Sequence, residues 1–253
     1  MYPNAAGLPE FQSSPWRAVQ SVVSTPQWPM NLLWLTIAVL LQSVFIGQIA
    51  LLGYAVDLFR ARSGRPENPT PDISADRFGD YIEQGIWPFV VLLVTQLALA
   101  FVLSVPLVVI AILVSVLVAS LGPDGQTIAS IGIALLVPLC WVLIAVVNVC
   151  TVPFLIRSIV CRDFAQSFDF AWAREFLRLM FWEMFWSGIR MLFLTIGLAV
   201  LGLLLLCVGY LPALGWISGA WIHLLAQWYE RYLSLGGDPV TFPDDEIIEA
   251  TLS

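Results

Sequence analysis

The chain has 253 residues, of which 59% are hydrophobic and only 11% charged, with a net charge of −7. Soluble domains carry about 25% charged residues, so this composition points to a polytopic membrane protein with short connections rather than a soluble enzyme or binding domain. The acidic balance argues against nucleic acid as a partner, which requires a basic surface.

Residues 1–28 are polar and punctuated by proline, without the apolar core or cleavage site of a secretory signal, and are read as an N-terminal interfacial segment. Within them 15–24 predicts a short amphipathic helix with Trp16, Val19, Val22 and Val23 on one side. Trp16, Trp28 and Trp34 suit a membrane–water boundary. An apolar run follows over 30–59. As one helix it would be about 45 Å long, and a single span would place Gln42, Ser43, Gly47 and Gln48 at mid-bilayer, where polar groups are costly. A single tilted span and a short hairpin turning near Gln42–Gln48 both remain open, and the hairpin is the preferred reading.

Residues 60–74 form a Pro- and Gly-rich loop. A short helix is expected from Ser74 or Ala75, capped by Ser74 or Asp76, with Phe78, Tyr81, Ile82 and Gly85 on one face. The stretch 86–156 carries a single charge, Asp124. About 20 apolar residues cross a bilayer, so this stretch predicts two spans joined by a turn at "SLGPDGQT", with kinks at Pro88 and Pro106. In 157–190 charged residues alternate with Phe and Trp, which predicts an interfacial amphipathic helix or helix pair over 163–185. A last hairpin, 191–208 and 211–232, turns at "GYLP", and 234–253 reads as an acidic flexible tail. A faint threefold recurrence of interfacial helix, apolar hairpin and Arg-rich return spans 15–60, 75–157 and 163–233.

The expected fold is therefore all-α: a polytopic membrane helical bundle of about three hairpins, with five or six membrane helices and interfacial amphipathic helices, its membrane domain covering 29–233. The turns at 42–48, 122–126 and 209–212 carry no Arg, whereas the longer connections do. The positive-inside rule places the Arg-rich loops and the C-terminus in the cytoplasm. The side of the N-terminus depends on whether 30–59 crosses once or turns back.

The candidate functional groups are intramembrane polar residues. Gln42, Gln48, Gln96 and Asn148 would line a path through the membrane or make interhelical hydrogen bonds, and the second reading is favoured. Glu183 and Arg190, seven apart on one helix face, would form a gate or snorkel to the interface. His223, the single histidine, continues a line from Gly215 and Gly219 and is followed by Gln227 and Glu230. It reads as a hydrogen-bonded helix contact before a proton relay or haem ligand. Gly215 and Gly219 themselves match a small-xxx-small packing pattern. Cys140, Cys150, Cys161 and Cys207 lack metal-site spacing and read as inert thiols. No catalytic motif is present, so no catalytic residue, metal or cofactor is expected.

Three stretches carry a family resemblance: "TPQWPMNLLW", "IGQIALLGYAVDLFRARSGRPENP" and "FGDYIEQGI". In them stand Pro26 and Trp28, Gly53 and Tyr54, Arg60 and Arg62, Pro69 and Pro71, and Gly85. With "RDFAQSFDFAWA" and "AQWYERY" further on, the chain resembles the bacterial and archaeal membrane family catalogued as domain of unknown function 4013 over most of 20–233. The loop departs from the family pattern, reading "TPDISADRFGD" where an acidic or Pro–Trp text is usual. The resemblance implies a multi-pass protein of a prokaryotic inner (cytoplasmic) membrane with no assigned activity. The functional expectation is a structural or assembly subunit of a membrane complex. It would contact lipid throughout and other subunits through its aromatic interfacial helices and acidic tail. A small transporter, channel or lipid-handling protein is the alternative, favoured by the Pro-broken helices and the recurrence.

Overall fold

A computed structural model describes residues 13–62, 70–205 and 209–240. Among these residues all regular structure is helical. The backbone divides into two units, one comprising Met1–Val91 with Pro153–Ser253 and the other Leu92–Val152.

In the first unit, helix α1 (Pro15–Val23) starts with a proline, whose missing N–H costs nothing in the first turn. It buries Pro15, Ala18, Val19 and Val22, while Trp16 is exposed. The inward stripe is thus rotated from the expected one, with Ala18 buried in place of Trp16. Helix α2 (Trp28–Leu40) runs into a 3-10 turn (Leu41–Val44), and Phe45, with φ 62°, reverses the chain into α3 (Ile46–Arg62). Residues 30–59 therefore form two helices that pack on each other, not one long span. At 13 and 17 residues both are shorter than the roughly 20 residues of a full crossing. Helix α3 is buried without interruption from Ala50 to Phe59, as befits a helix apolar on all sides.

Helix α4 (Phe78–Cys161) has 84 residues and is preceded by a 3-10 turn at Ala75–Arg77 that no side chain caps. The turn expected at "SLGPDGQT" does not break it: the backbone is helical through these residues. Their Leu-, Val- and Ala-rich flanks favour continued helix, which satisfies backbone groups locally in an apolar stretch. The second unit, Leu92–Val152, is helical throughout and exposes many large apolar side chains, including Phe101 and Trp141 at 73% and 68%.

Two aspartates and one left-handed residue end α4 and start the next long helix. Arg162 (φ 50°) terminates α4. Asp163 accepts the Gln166 N–H to cap the short α5 (Phe164–Ser167), and Asp169 accepts the N–H groups of Ala171 and Trp172 to cap α6 (Phe170–Leu204). Asp169 also pairs with Arg157 at 3.0 Å, whose Nε donates to the Gln166 carbonyl at 2.6 Å. The expected helix or helix pair over 163–185 takes the form of α5 and the first half of α6, which runs on as a continuous 35-residue helix. No Gly, Pro or capping residue interrupts 170–186, so the helix has no reason to stop before its apolar half. Trp172, Phe176, Met180, Met184, Ser187 and Met191 form its buried stripe.

Helix α7 (Tyr210–Ser234) packs against α1, α2, α3 and α6 and ends with Gly236 at φ 84°, a conformation glycine adopts without strain. The beginning of the expected flexible tail is held in place. The Asp238 N–H donates to the Tyr232 hydroxyl, the Val240 N–H to the Tyr229 hydroxyl, and the Trp172 indole to the Asp238 carbonyl. The acidic remainder of the tail, 241–253, lies outside the described residues.

Three segments of the described chain are long and apolar enough to cross a membrane: Phe78–Ser120, Cys140–Cys161 and Phe164–Leu204. Five or six had been expected. Helix α7 is not among the three, because His223, Gln227 and its charged end lower its hydropathy, and it is largely enclosed by other helices.

Candidate functional site

The polar residues singled out from sequence fall into separate places. Gln42 and Gln48 are half-buried at the α2–α3 turn, away from the centre of any span, since the chain reverses there. Asn148, in the second unit, is exposed, and its Nδ2 donates to the Ile144 carbonyl of its own helix at 2.8 Å. Among the described residues the Asn148 side chain bonds within its own helix rather than to another.

Glu183, Gln227 and Ser187 do come together, around the start of the described chain. Glu183 Oε1 accepts the Ser13 N–H at 2.9 Å and its hydroxyl at 2.7 Å. Its other oxygen accepts from Arg231 Nε at 3.2 Å. The Ser14 N–H donates to Gln227 Oε1 at 2.9 Å, and the Trp228 indole to Ser187 Oγ at 2.9 Å. The carboxylate thus satisfies an orphan donor ahead of α1 and a guanidinium from α7 at once. The expected partner, Arg190, is exposed and makes no ion pair with Glu183. The cause is reach: Arg231 approaches from the facing helix, whereas Arg190 lies two turns further along α6.

Around this carboxylate opens a cleft of about 310 Å³, lined by Trp182, Trp186, Arg190 and Arg231 among others. Trp182, Trp186 and Arg190 are four residues apart, which places them on one stripe of the helix. Both tryptophans are solvent-facing, at 68% and 54% exposure. The chemistry on offer is two guanidinium groups, one of them paired with a carboxylate, and two exposed indoles.

A second polar group surrounds His223, which is 1% exposed. It lines an enclosed cavity of about 10 Å³ with Thr25, Asn31 and Tyr54, the size of one water molecule. The hydrogen bond expected of His223 is not made at Nδ1, which has no partner. Gly219, one turn earlier, admits the side chains of Val22 and Leu35, and these apolar groups occupy the neighbouring space. Asn31, which no sequence signal marked, uses its whole amide. It donates to Thr25 Oγ1 and Asp72 Oδ1, both at 2.9 Å, and accepts the Ile73 N–H at 3.0 Å. Nearby, Asp57 pairs with Arg77, and Arg62 with Glu230 at 3.4 Å. These pairs fasten the connection before α4 and the end of α3 to the core.

Among the described residues no cluster of three or more His, Cys, Asp or Glu is arranged to hold a metal ion. Cys140, Cys150 and Cys161 form no disulfide among the described residues, and Cys207 lies outside them.

No curated protein and no solved structure matches this chain. One family does, that described as "Protein of unknown function (DUF4013)", over residues 36–213. That range takes in the end of α2, all of α3, the glycine-bearing start of α4 and the α6–α7 turn, and it includes the Trp182–Arg190 stripe but not His223. Because the match covers well over half of the chain, the protein belongs to the DUF4013 family.

Proposed function

We propose that this protein is a multi-pass integral membrane protein acting as an assembly or interaction subunit of a membrane complex, without catalytic activity of its own. The observation that carries the reading is an inversion of the usual surface. The apolar window of Phe78–Ser120 has a mean hydropathy of 3.1 and is 0% buried within the chain, while Glu183, Gln227 and Asn31 are spent on internal hydrogen bonds. Large exposed apolar surfaces mark membrane or protein contacts, and here lipid or another subunit's helices must cover them. The cavity at His223 is too small for a cargo, which supports the interaction reading over a carrier.

In this arrangement Phe78–Ser120 and Cys140–Cys161, each long and apolar enough to cross, supply the crossings within α4. The apolar half of α6 makes a further crossing, and α7 returns from it. The membrane is a prokaryotic cytoplasmic membrane, with 66–76 and 236–253 facing the cytoplasm by the distribution of Arg. The tests are extraction, labelling and co-purification. Alkaline carbonate should leave the protein in the membrane pellet, and cysteines placed in 70–74 should resist labelling from outside intact cells. Purification from native membranes in mild detergent should retain a second membrane protein at fixed stoichiometry. Release by carbonate overturns the membrane reading, outside labelling overturns the orientation, and elution as a lone chain under every mild extraction overturns the assembly role.

A further inference from the structure

We infer that the cleft beside Glu183 binds the phosphate of an anionic phospholipid at the membrane boundary, with Arg190 as its principal ligand. The inference rests on the membrane reading above. Arg190 is exposed and has no carboxylate partner among the described residues. It is the last charged residue before 191–204, an apolar stretch with no ionisable side chain. If α6 enters the bilayer, Arg190 stands where its charged half meets its apolar half, at headgroup depth.

The surroundings fit the same ligand. Trp182 and Trp186 stand two turns and one turn before Arg190 on its own stripe and are exposed. Indole rings partition to the headgroup region, with an apolar body and a donor N–H. Arg231 supplies a second guanidinium to the cleft. Only its Nε is engaged by Glu183, which leaves the two terminal nitrogens for an anion. Glu183 would repel an anion if it were unpaired, but three donors already hold it. Two guanidinium groups against one carboxylate leave the cleft net positive on a chain whose net charge is −7. Arginine presents a planar fork that matches phosphate oxygens bidentately. A cleft of about 310 Å³ falls at the lower end of ordinary ligand sites, which start at about 300 Å³. A free phosphate shares this chemistry, but the apolar stretch directly below Arg190 favours a phosphate carried on acyl chains.

The test uses the full chain in neutral detergent, titrated with short-chain phosphatidylglycerol, short-chain phosphatidylcholine or inorganic phosphate, with binding followed by tryptophan fluorescence and melting temperature. Phosphatidylglycerol should bind saturably and more tightly than phosphatidylcholine. Arg190→Ala should weaken it about five-fold, the scale of one basic residue against an anionic lipid surface, and Arg190→Lys should restore part of the loss. Trp182→Ala should weaken it without altering the lipid-free melt. Arg178→Ala, which removes the same charge from an exposed position outside the cleft, should change nothing. Equal binding by Arg190→Ala and the parent, or equal losses in Arg190→Ala and Arg178→Ala, overturns the site. Equal protection by inorganic phosphate overturns the lipid as its source. A protein that resists carbonate extraction yet shows no preference for phosphatidylglycerol overturns the cleft while leaving the membrane reading intact.

Discussion

Two glycines set how closely α3 and α4 approach, and substituting either should separate them. A Cβ on Gly53 would lie 1.9 Å from the Tyr81 carbonyl oxygen, and a Cβ on Gly85 would lie 1.9 Å from the Ile49 carbonyl oxygen. The seam is reciprocal: each helix offers a glycine to the other's backbone, four residues from the backbone it in turn receives. An ordinary contact begins near 3.4 Å, so Gly53→Ala must open the pair by roughly 1.5 Å, more than enough to forfeit half of the dispersion well at this contact. The obstacle is backbone, which cannot swing aside as a side chain would. Overpacking of this kind costs about 3 kcal/mol, against which alanine returns about 1 kcal/mol of helix propensity. The net loss of about 2 kcal/mol corresponds to a melting temperature lower by about 4–8 °C for a chain of this size. The Tyr54–Tyr81 edge contact at 6.3 Å and the Asp57–Arg77 pair would loosen with it. Gly79→Ala is the matched control, since nothing lies within 4 Å of its added Cβ, and it should melt at or slightly above the parent. Thermal unfolding in detergent, followed by far-UV circular dichroism, measures all three proteins. A Gly53→Ala protein that melts with the Gly79→Ala control would refute the seam.

Three further outcomes are expected. Glu183→Ala removes the acceptor for Ser13 and the partner of Arg231, so limited proteolysis should cut ahead of Pro15 at least several-fold faster, while the core melts within about 3 kcal/mol of the parent. Tyr229→Phe deletes the acceptor of the Val240 N–H, and hydrogen exchange at Val240 should accelerate by about ten-fold, the value of one modest hydrogen bond, with no change in α1. His223→Gln should insert and fold as the parent does, because Nδ1 makes no bond that a glutamine would lose, whereas His223→Leu should loosen the α7 contact without unfolding the chain. Loss of a pH-dependent flux in His223→Gln, at unchanged expression and melting, would return the carrier reading to first place.

Local signals read well from the sequence where a single element decides them. Pro15 starts a helix, the polar cluster at Gln42–Gln48 marks a reversal, and "GYLP" opens α7, with Gly209 at its N-cap. Gly215 and Gly219 do face α2, as their spacing suggested, meeting the Thr36 backbone and Leu35. The rest depended on partners distant in sequence. Nothing around Gly53 or Gly85 says that a backbone carbonyl lies against it. Glu183 is visible as a charge on a helix face, but periodicity assigns a face without naming its neighbour, so it points to Arg190 on the same helix and not to Arg231 on the facing one. Asp163 and Asp169 were readable as N-caps ahead of helical text and were passed over because the alternation of aromatics with charges suggested one interfacial element. The uninterrupted α4 overrides the Gly-Pro-Asp-Gly signal, a case where flanking helix formers outweigh turn residues.

The bond from Ser14 to Gln227 joins residues 213 positions apart, and α1 finds most of its packing on α7. A ribosome adding roughly 5–20 residues per second needs about 10–40 s to make the chain between them. Throughout that interval the first helix lacks its main packing surface, and the Arg231 that will steady Glu183 does not yet exist. The earliest-made segment must therefore wait at the membrane, held by its own amphipathic face, until the last helix is released. Any chain that stops before 210 would carry its N-terminal helix permanently unseated, which gives quality-control proteases a simple way to tell finished molecules from unfinished ones.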